Sequence, residues 1–533
     1  MENGPIARNW PTTYSAAGMV CTVDHAASAA GAQILADGGT AADAAIAANA
    51  VLAVTSPHLC GMGGDLYALV HHRSGPPEAL DAAGRAGSGA DPDRLRADGH
   101  TSMPMLGDVR SVTVPGCVEG WIALHERHGR LPFATVLAPA RRLAEGGFPA
   151  SPLLAFLAPT LNGVVGCDEL ATIAPDTGDR VFRPELAGTL AEVADGGRAA
   201  FYEGRFGAGL LEVGDGEFEA ADLATVGARW VDPLGLRVWG HDVWTMPPSS
   251  QGYLALAASL IAELVTGGEM PPPDDPAWVH LLAECSRLAA NDRLEVLHDG
   301  ADGAVLLGPE RLLALAARFD PFGLSGAGAP VRTGDTTYLC VVDAEGMGIS
   351  LIQSNAKDFG CRLAVPGTGI LLHNRGNGFS LEPGHPAEYG PGRQPPHTLS
   401  PALVTRPDGS LRAVLGSMGG DSQPQLVTQM LARMLVAGQE AGDVILAPRF
   451  VLSRPGGTGF DTWVAPEEQQ IRIEGHAPAG WGPGLIERGQ RVEVAGFDPA
   501  GFGHAHAIEV RTDGIRAAGA DTRSMTAAAT PSV

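Results

Sequence analysis

Gly334-Asp335-Thr336-Thr337-Tyr338-Leu339-Cys340-Val341-Val342-Asp343 sets the frame in which the other residues are read. A polar approach gives way to two threonines and then to an apolar run. Ala344-Glu345-Gly346 follows as a tight-turn signal, and a second run, Ile349-Ser350-Leu351-Ile352, leads to Ser354. Two such runs around a glycine-containing turn predict a β-hairpin. Its open end carries a hydroxyl on each strand, Thr336 and Ser354, which antiparallel pairing makes neighbours.

A threonine hydroxyl is a weak nucleophile until a base removes its proton. A cut between Asp335 and Thr336 would supply that base within the same residue, as the new α-amine. An α-amine titrates near about 8, so much of it is free base close to neutral pH, where general bases work best. Without a cut, the threonine pair has the ordinary reading of β-branched residues opening a strand. The stretch Arg318 to Asp335 is rich in Pro, Gly and Ser, which is where a scissile tether belongs.

Outward from the hairpin, Met19 to Thr22 predicts a strand and Ala26 to Gly38 an Ala-rich helix. Thr40 caps a second helix, Ala41 to Val54. The glycine-rich turn Gly61-Met62-Gly63-Gly64-Asp65 then feeds a strand, Leu66 to His71. Helix, glycine turn and strand in this order imply layered α/β packing. Strands are expected at Ser111 to Pro115, Gly369 to His373, Arg412 to Gly416 and Gly503 to Val510. Helices are expected at Val118 to His128, Phe133 to Glu145, Tyr253 to Val265, Trp278 to Leu294 and Pro424 to Val436, with Asp292-Arg293 as a structural ion pair.

The chain has 533 residues, 45% hydrophobic and 18% charged, a composition that folds rather than stays disordered. A net charge of -24 argues against a nucleic-acid partner. Lys357 is the only lysine. Seven cysteines, an odd number at wide spacing without CxxC, predict reduced thiols in a cytoplasm and neither a disulfide frame nor a zinc site. No secretory leader and no membrane-spanning run is expected.

Gly419-Gly420 lies between a predicted strand and a predicted helix, a place where backbone N–H groups can receive an oxyanion. On spacing alone a plain tight turn that needs glycine for positive φ is the better reading. Gly61 to Gly64 lacks the GKS ending of a phosphate loop. His504-Ala505-His506 places two imidazoles on one strand face, but no carboxylate or cysteine completes a metal site, so surface histidines are expected there and at His71-His72.

Taken together, these motifs resemble the γ-glutamyltransferase (γ-glutamyl transpeptidase) family of N-terminal-nucleophile hydrolases over nearly the whole chain. Thr40 to Gly64, Val114-Pro115-Gly116, Asp222-Leu223, Met246 to Gly252, Thr336 to Asp343, Gly416 to Gly420 and Gly519 to Arg523 follow the family's signatures in order. The resemblance implies a four-layer αββα sandwich and autocatalytic cleavage of one intertwined domain into a large piece, 1–335, and a small piece, 336–533. These pieces would stay partnered, with a dimer of such pairs left open. It implies Thr336 as nucleophile, Ser354 as the hydroxyl bonded to it, Gly419 and Gly420 as the oxyanion hole, a small-molecule substrate and no cofactor or metal.

The donor pocket departs from the family pattern. Positions that hold a glutamate α-amine fall on Ala356, Arg375 and Gly378, and a carboxylate-binding serine pair becomes His397-Thr398. Arg85 stands near the family's carboxylate-binding arginine, and Asn355 is one place from the aligned asparagine. An arginine repels an ammonium and pairs with a carboxylate. The expectation is therefore an acyl-enzyme hydrolase for a small acidic donor lacking the α-amine. An ordinary γ-glutamyl peptidase, an acylase or C–C hydrolase removing a glutaryl or oxalyl-type group in antibiotic biosynthesis, and an uncut non-catalytic scaffold are the alternatives.

Overall fold

The computed structural model describes residues 12–73, 75–171, 176–325, 336–454, 468–496, 498 and 500–533. The hairpin forms as Thr337–Val342 and Gly348–Ser354, with Thr337 opposite Gln353 and Val342 opposite Gly348. It is the middle of a seven-stranded sheet in the order Ala528–Pro531, Met19–Thr22, Thr337–Val342, Gly348–Ser354, Asp65–His71, Glu78–Ala82, Arg229–Val231. A second seven-stranded sheet runs Thr13–Ser15, Arg516–Ala520, Ala505–Val510, Leu411–Ser417, Ala402–Thr405, His241–Thr245, Leu234–Val238. Each sheet takes strands from both sides of residue 336, so the two halves of the chain share one fold.

Side-chain alternation along the strands produces three stacked cores. Tyr338, Cys340 and Val342 join Tyr67, Leu69 and Ile352 in a core shared with Leu403, Val414 and Ile508 of the second sheet. The intervening Leu339, Val341, Ile349 and Leu351 face the opposite way, onto the helices His25–Ala36 and Ala41–Thr55. On the far side, Ala413, Leu415 and Ala505 pack against Tyr253–Thr266, Pro276–Ala290 and Gln423–Leu435. Helix, sheet, sheet, helix is the four-layer order that the resemblance implied.

The central helix Ala41–Thr55 is buried along its whole length. Its Ala-rich surface lets the sheet approach closely, and a capping box between Thr40 and Asp43 fixes its start. Asp43 Oδ2 also accepts the N–H groups of Arg130 and Leu131, which ties this helix to the next segment.

Three expected elements differ. Ser111 to Pro115 is not a strand: a short turn at Val109–Ser111 precedes extended chain whose Val114 N–H reaches the Arg85 carbonyl. Proline at 115 has no N–H to continue a ladder. The expected Trp278 to Leu294 helix stops at Ala290 and restarts as Arg293–Val296. Asp292 and Arg293 do not pair with each other; Arg311 holds Asp292 with two 2.8 Å bonds, while Arg293 turns to Gln251 and Asp421. Gly369 to His373 contributes only a short strand, Ile370–Leu371. Asp335 and most of the expected tether lie outside the described residues. All seven cysteines are buried and unpaired, and among the described residues no helix is long and apolar enough to cross a membrane.

Candidate active site

Thr336 and Ser354 close the open end of the hairpin on the face turned towards the second sheet. Their hydroxyl oxygens are 3.0 Å apart, and both residues are buried. Ser354 Oγ also accepts the Ala356 N–H at 2.8 Å. Either hydroxyl can be the donor in the bond between Thr336 and Ser354. Ala356 holds φ at 72°, a left-handed conformation that bends the chain back over Ser354.

Asp65 is paired directly with Ser354 across the next strand boundary. Its Oδ2 accepts from Arg375 Nε and His397 Nε2, both at 2.7 Å. Burial by itself would raise this carboxyl; Arg375 and His397 beside it hold it well below the ordinary carboxylate range. His397 is pushed down to about 4, first by burial and then by Arg375. It is neutral near pH 7, and the Leu399 N–H on Nδ1 assigns its proton to Nε2, facing Asp65. Arg375 Nη1 continues to Thr398 Oγ1 at 2.9 Å. Arg375, His397 and Thr398 are thus brought together around a carboxylate absent from the sequence-based expectation.

The second sheet contributes Gly419 and Gly420, just beyond the strand Leu411–Ser417. Gly416 lies so close to Tyr338 that a Cβ there would come within 2.5 Å of its ring, which brings this strand end alongside the Thr336 strand. Both glycines have positive φ, 133° and 53°. Among the described residues neither of their N–H groups is used within the protein.

Gln251 braces the loop. Its Nε2 donates to the carbonyls of Thr398 and Gly420, at 3.1 and 3.0 Å, and its Oε1 accepts from Arg293 Nε at 3.0 Å. Gln251→Ala, which removes these three bonds, is expected to lower kcat by about 10- to 100-fold with little change in KM, in steady-state kinetics of the cut protein.

The remaining candidates sit elsewhere. Arg85 pairs with Asp299 at 2.6 Å and donates to the Gly392 carbonyl, on the loop that leads to His397. Asn355 turns to the opposite side from Ser354, as strand alternation requires. Its Nδ2 bonds the Pro57 carbonyl, and it borders a small cavity with Ala53, Met62, Leu186 and Ile370 of the outer core. The expected surface histidines are a correction: His71, His504 and His506 are buried. His506 accepts the Asp521 N–H on Nδ1, and its ring lies parallel to Tyr338. Burial explains why it is pushed down to about 3. His72 is exposed. Among the described residues no three His, Cys, Asp or Glu side chains converge as metal ligands.

Two stacked antiparallel sheets between helical layers, with a hydroxyl residue at the inner end of a central strand, define the architecture of the N-terminal-nucleophile hydrolases. Residues 27–530 match the family model described as gamma-glutamyltranspeptidase, and the chain belongs to that family. It is 35% identical over 97% of its length, and 99% of the relative's, to the oxamate amidohydrolase proenzyme of Klebsiella pneumoniae subsp. pneumoniae. It is 34% identical to the glutathione hydrolase-like YwrD proenzyme of Bacillus subtilis, over 95% of this chain and 97% of that one. Among solved structures it superposes on a cephalosporin acylase from Bacillus halodurans with a TM-score of 0.89 and 30% identity, covering 100% of this chain and 98% of that chain.

Proposed function

We propose that the chain is a self-cutting acyl-enzyme hydrolase whose nucleophile is Thr336, freed as the first residue of the 336–533 piece. The observation that carries this reading is the buried 3.0 Å contact between Thr336 Oγ1 and Ser354 Oγ, at the hairpin end flanked by the glycine loop. The α-amine takes the hydroxyl proton as Oγ1 attacks the donor carbonyl. Gly419 and Gly420 N–H groups receive the oxyanion. The bond from acyl carbon to leaving nitrogen breaks, the amine departs with the proton, and an ester remains on Thr336. Water, deprotonated by the same α-amine, then releases the acid.

The donor is a small acidic acyl group without an α-amine. Arg375 supports this, since it places a cation where a glutamyl reader needs acceptors. The names of two relatives, an oxamate amidohydrolase and a cephalosporin acylase, are consistent with donors other than glutathione. Seven unpaired cysteines fit a reducing compartment such as the cytoplasm.

Purified protein offered a glutaryl anilide and its γ-glutamyl counterpart tests the reading. It should run as two bands on a denaturing gel and hydrolyse the glutaryl compound with kcat/KM about tenfold higher or more. A preference for the glutamyl compound removes the donor assignment and leaves the nucleophile. One uncut band without turnover supports a non-catalytic scaffold and removes both.

A further inference from the structure

Asp65 is not needed for the cut or for acyl transfer as described, yet it sits in the row that carries both. Directly paired residues on antiparallel strands project to the same side of the sheet. Ser354 is paired with Asp65 on one side and its hydroxyl meets Thr336 on the other, so the three side chains line up across adjacent strands. The Asp65 carboxylate is wholly buried. One of its oxygens takes Arg375 Nε and His397 Nε2 at 2.7 Å each, and the other faces Arg375 Nη2 at 3.5 Å.

An ammonium group is held by carboxylate and carbonyl acceptors; on Asp65 the Arg375 guanidinium and the His397 imidazole occupy Oδ2, and the guanidinium cancels the charge that would draw an ammonium. Arg375 therefore does more than bring a cation into the donor pocket. It covers an acceptor already present beside the hydroxyl pair.

We propose that Asp65 is the specificity-determining residue of the donor site: a latent ammonium acceptor masked by Arg375, so that the site takes acyl donors ending in carbonyl or carboxylate oxygen and turns away those bearing an α-ammonium. This deepens the reading of Thr336 as nucleophile and rests on it.

The test is the ratio of kcat/KM for the γ-glutamyl anilide over the glutaryl anilide, measured on cut wild type, Arg375→Gln and the double variant Asp65→Asn/Arg375→Gln. Arg375→Gln uncovers the carboxylate, and the ratio should rise about tenfold or more, through a lower KM for the glutamyl compound. In the double variant the carboxylate is gone, and the ratio should return to within about threefold of wild type. Each ratio is taken on one preparation, so a loss of folded protein cancels. Arg375→Met, close to arginine in volume, serves if the glutamine variant does not accumulate, with the same rise expected. An equal rise in the single and double variants overturns the proposal, because removal of positive charge alone would then admit the ammonium. No rise in the single variant overturns it as well. Failure of the underlying reading shows separately, as turnover that survives Thr336→Ala.

Discussion

Thr336→Ala is expected to leave the protein as one 54.8 kDa chain and to lower acyl transfer by about 10⁴-fold or more. The two losses have one cause. In the proposed cut, the Thr336 hydroxyl would attack the Asp335 carbonyl; the peptide C–N bond would break as an ester C–O bond forms, and water would resolve the ester to a carboxylate and a free α-amine. In the proposed turnover the same oxygen attacks the donor, and that amine carries the proton. Alanine removes the oxygen from both steps. Thr336→Ser keeps hydroxyl and amine and is expected to restore both in part. The two roles separate when residues 1–335 and 336–533 are produced as two chains, with alanine first in the second chain. The cut is then supplied, and turnover should still be lost. Wild-type rates from that pair, followed with the glutaryl anilide, would remove Thr336 from the chemistry.

The hairpin, the capped Ala-rich helix and the glycine loop were legible because each is a local pattern. A turn signal between two apolar runs, or a threonine three residues before an aspartate, specifies its structure within a few positions. Asp65 was not legible. In sequence it ends a glycine-rich turn, and its partner Arg375 is 310 residues away. The available signal was a charge opening the otherwise apolar run Leu66-Tyr67-Ala68-Leu69-Val70, since a carboxylate buried there requires a cation. Arg375 stands out in the sequence as a cation at a position that should hold an acceptor, but only the fold joins it to Asp65. Gln251 escaped for a similar reason: its three partners, Thr398, Gly420 and Arg293, come from three separate segments. The histidines misled because alternation in a strand gives facing but not layer. His506 faces the sheet-to-sheet core and not solvent, which only the stacking of the second sheet decides.

The other large effect is expected at Gly419. Its φ of 133° is closed to a residue with a Cβ, and a Cβ built there would meet Ser422 Oγ at 2.4 Å. Ser422 Oγ already bonds the Gly419 carbonyl at 2.7 Å, so the serine cannot swing away without releasing the loop. Gly419→Ala must therefore turn the peptide, and with it the N–H assigned to the oxyanion. Loss of one such donor lowers kcat by about 10²- to 10³-fold, with KM nearly unchanged because the ground-state carbonyl carries little charge. Gly438→Ala is the matched control. That glycine also has positive φ, 65°, but no atom lies within 4 Å of the added Cβ. It is expected to cost about 1 kcal/mol of stability and leave kcat as in wild type. Equal kcat for the two alanine variants, per cut molecule, would show that the loop is a structural turn and that the oxyanion is received elsewhere.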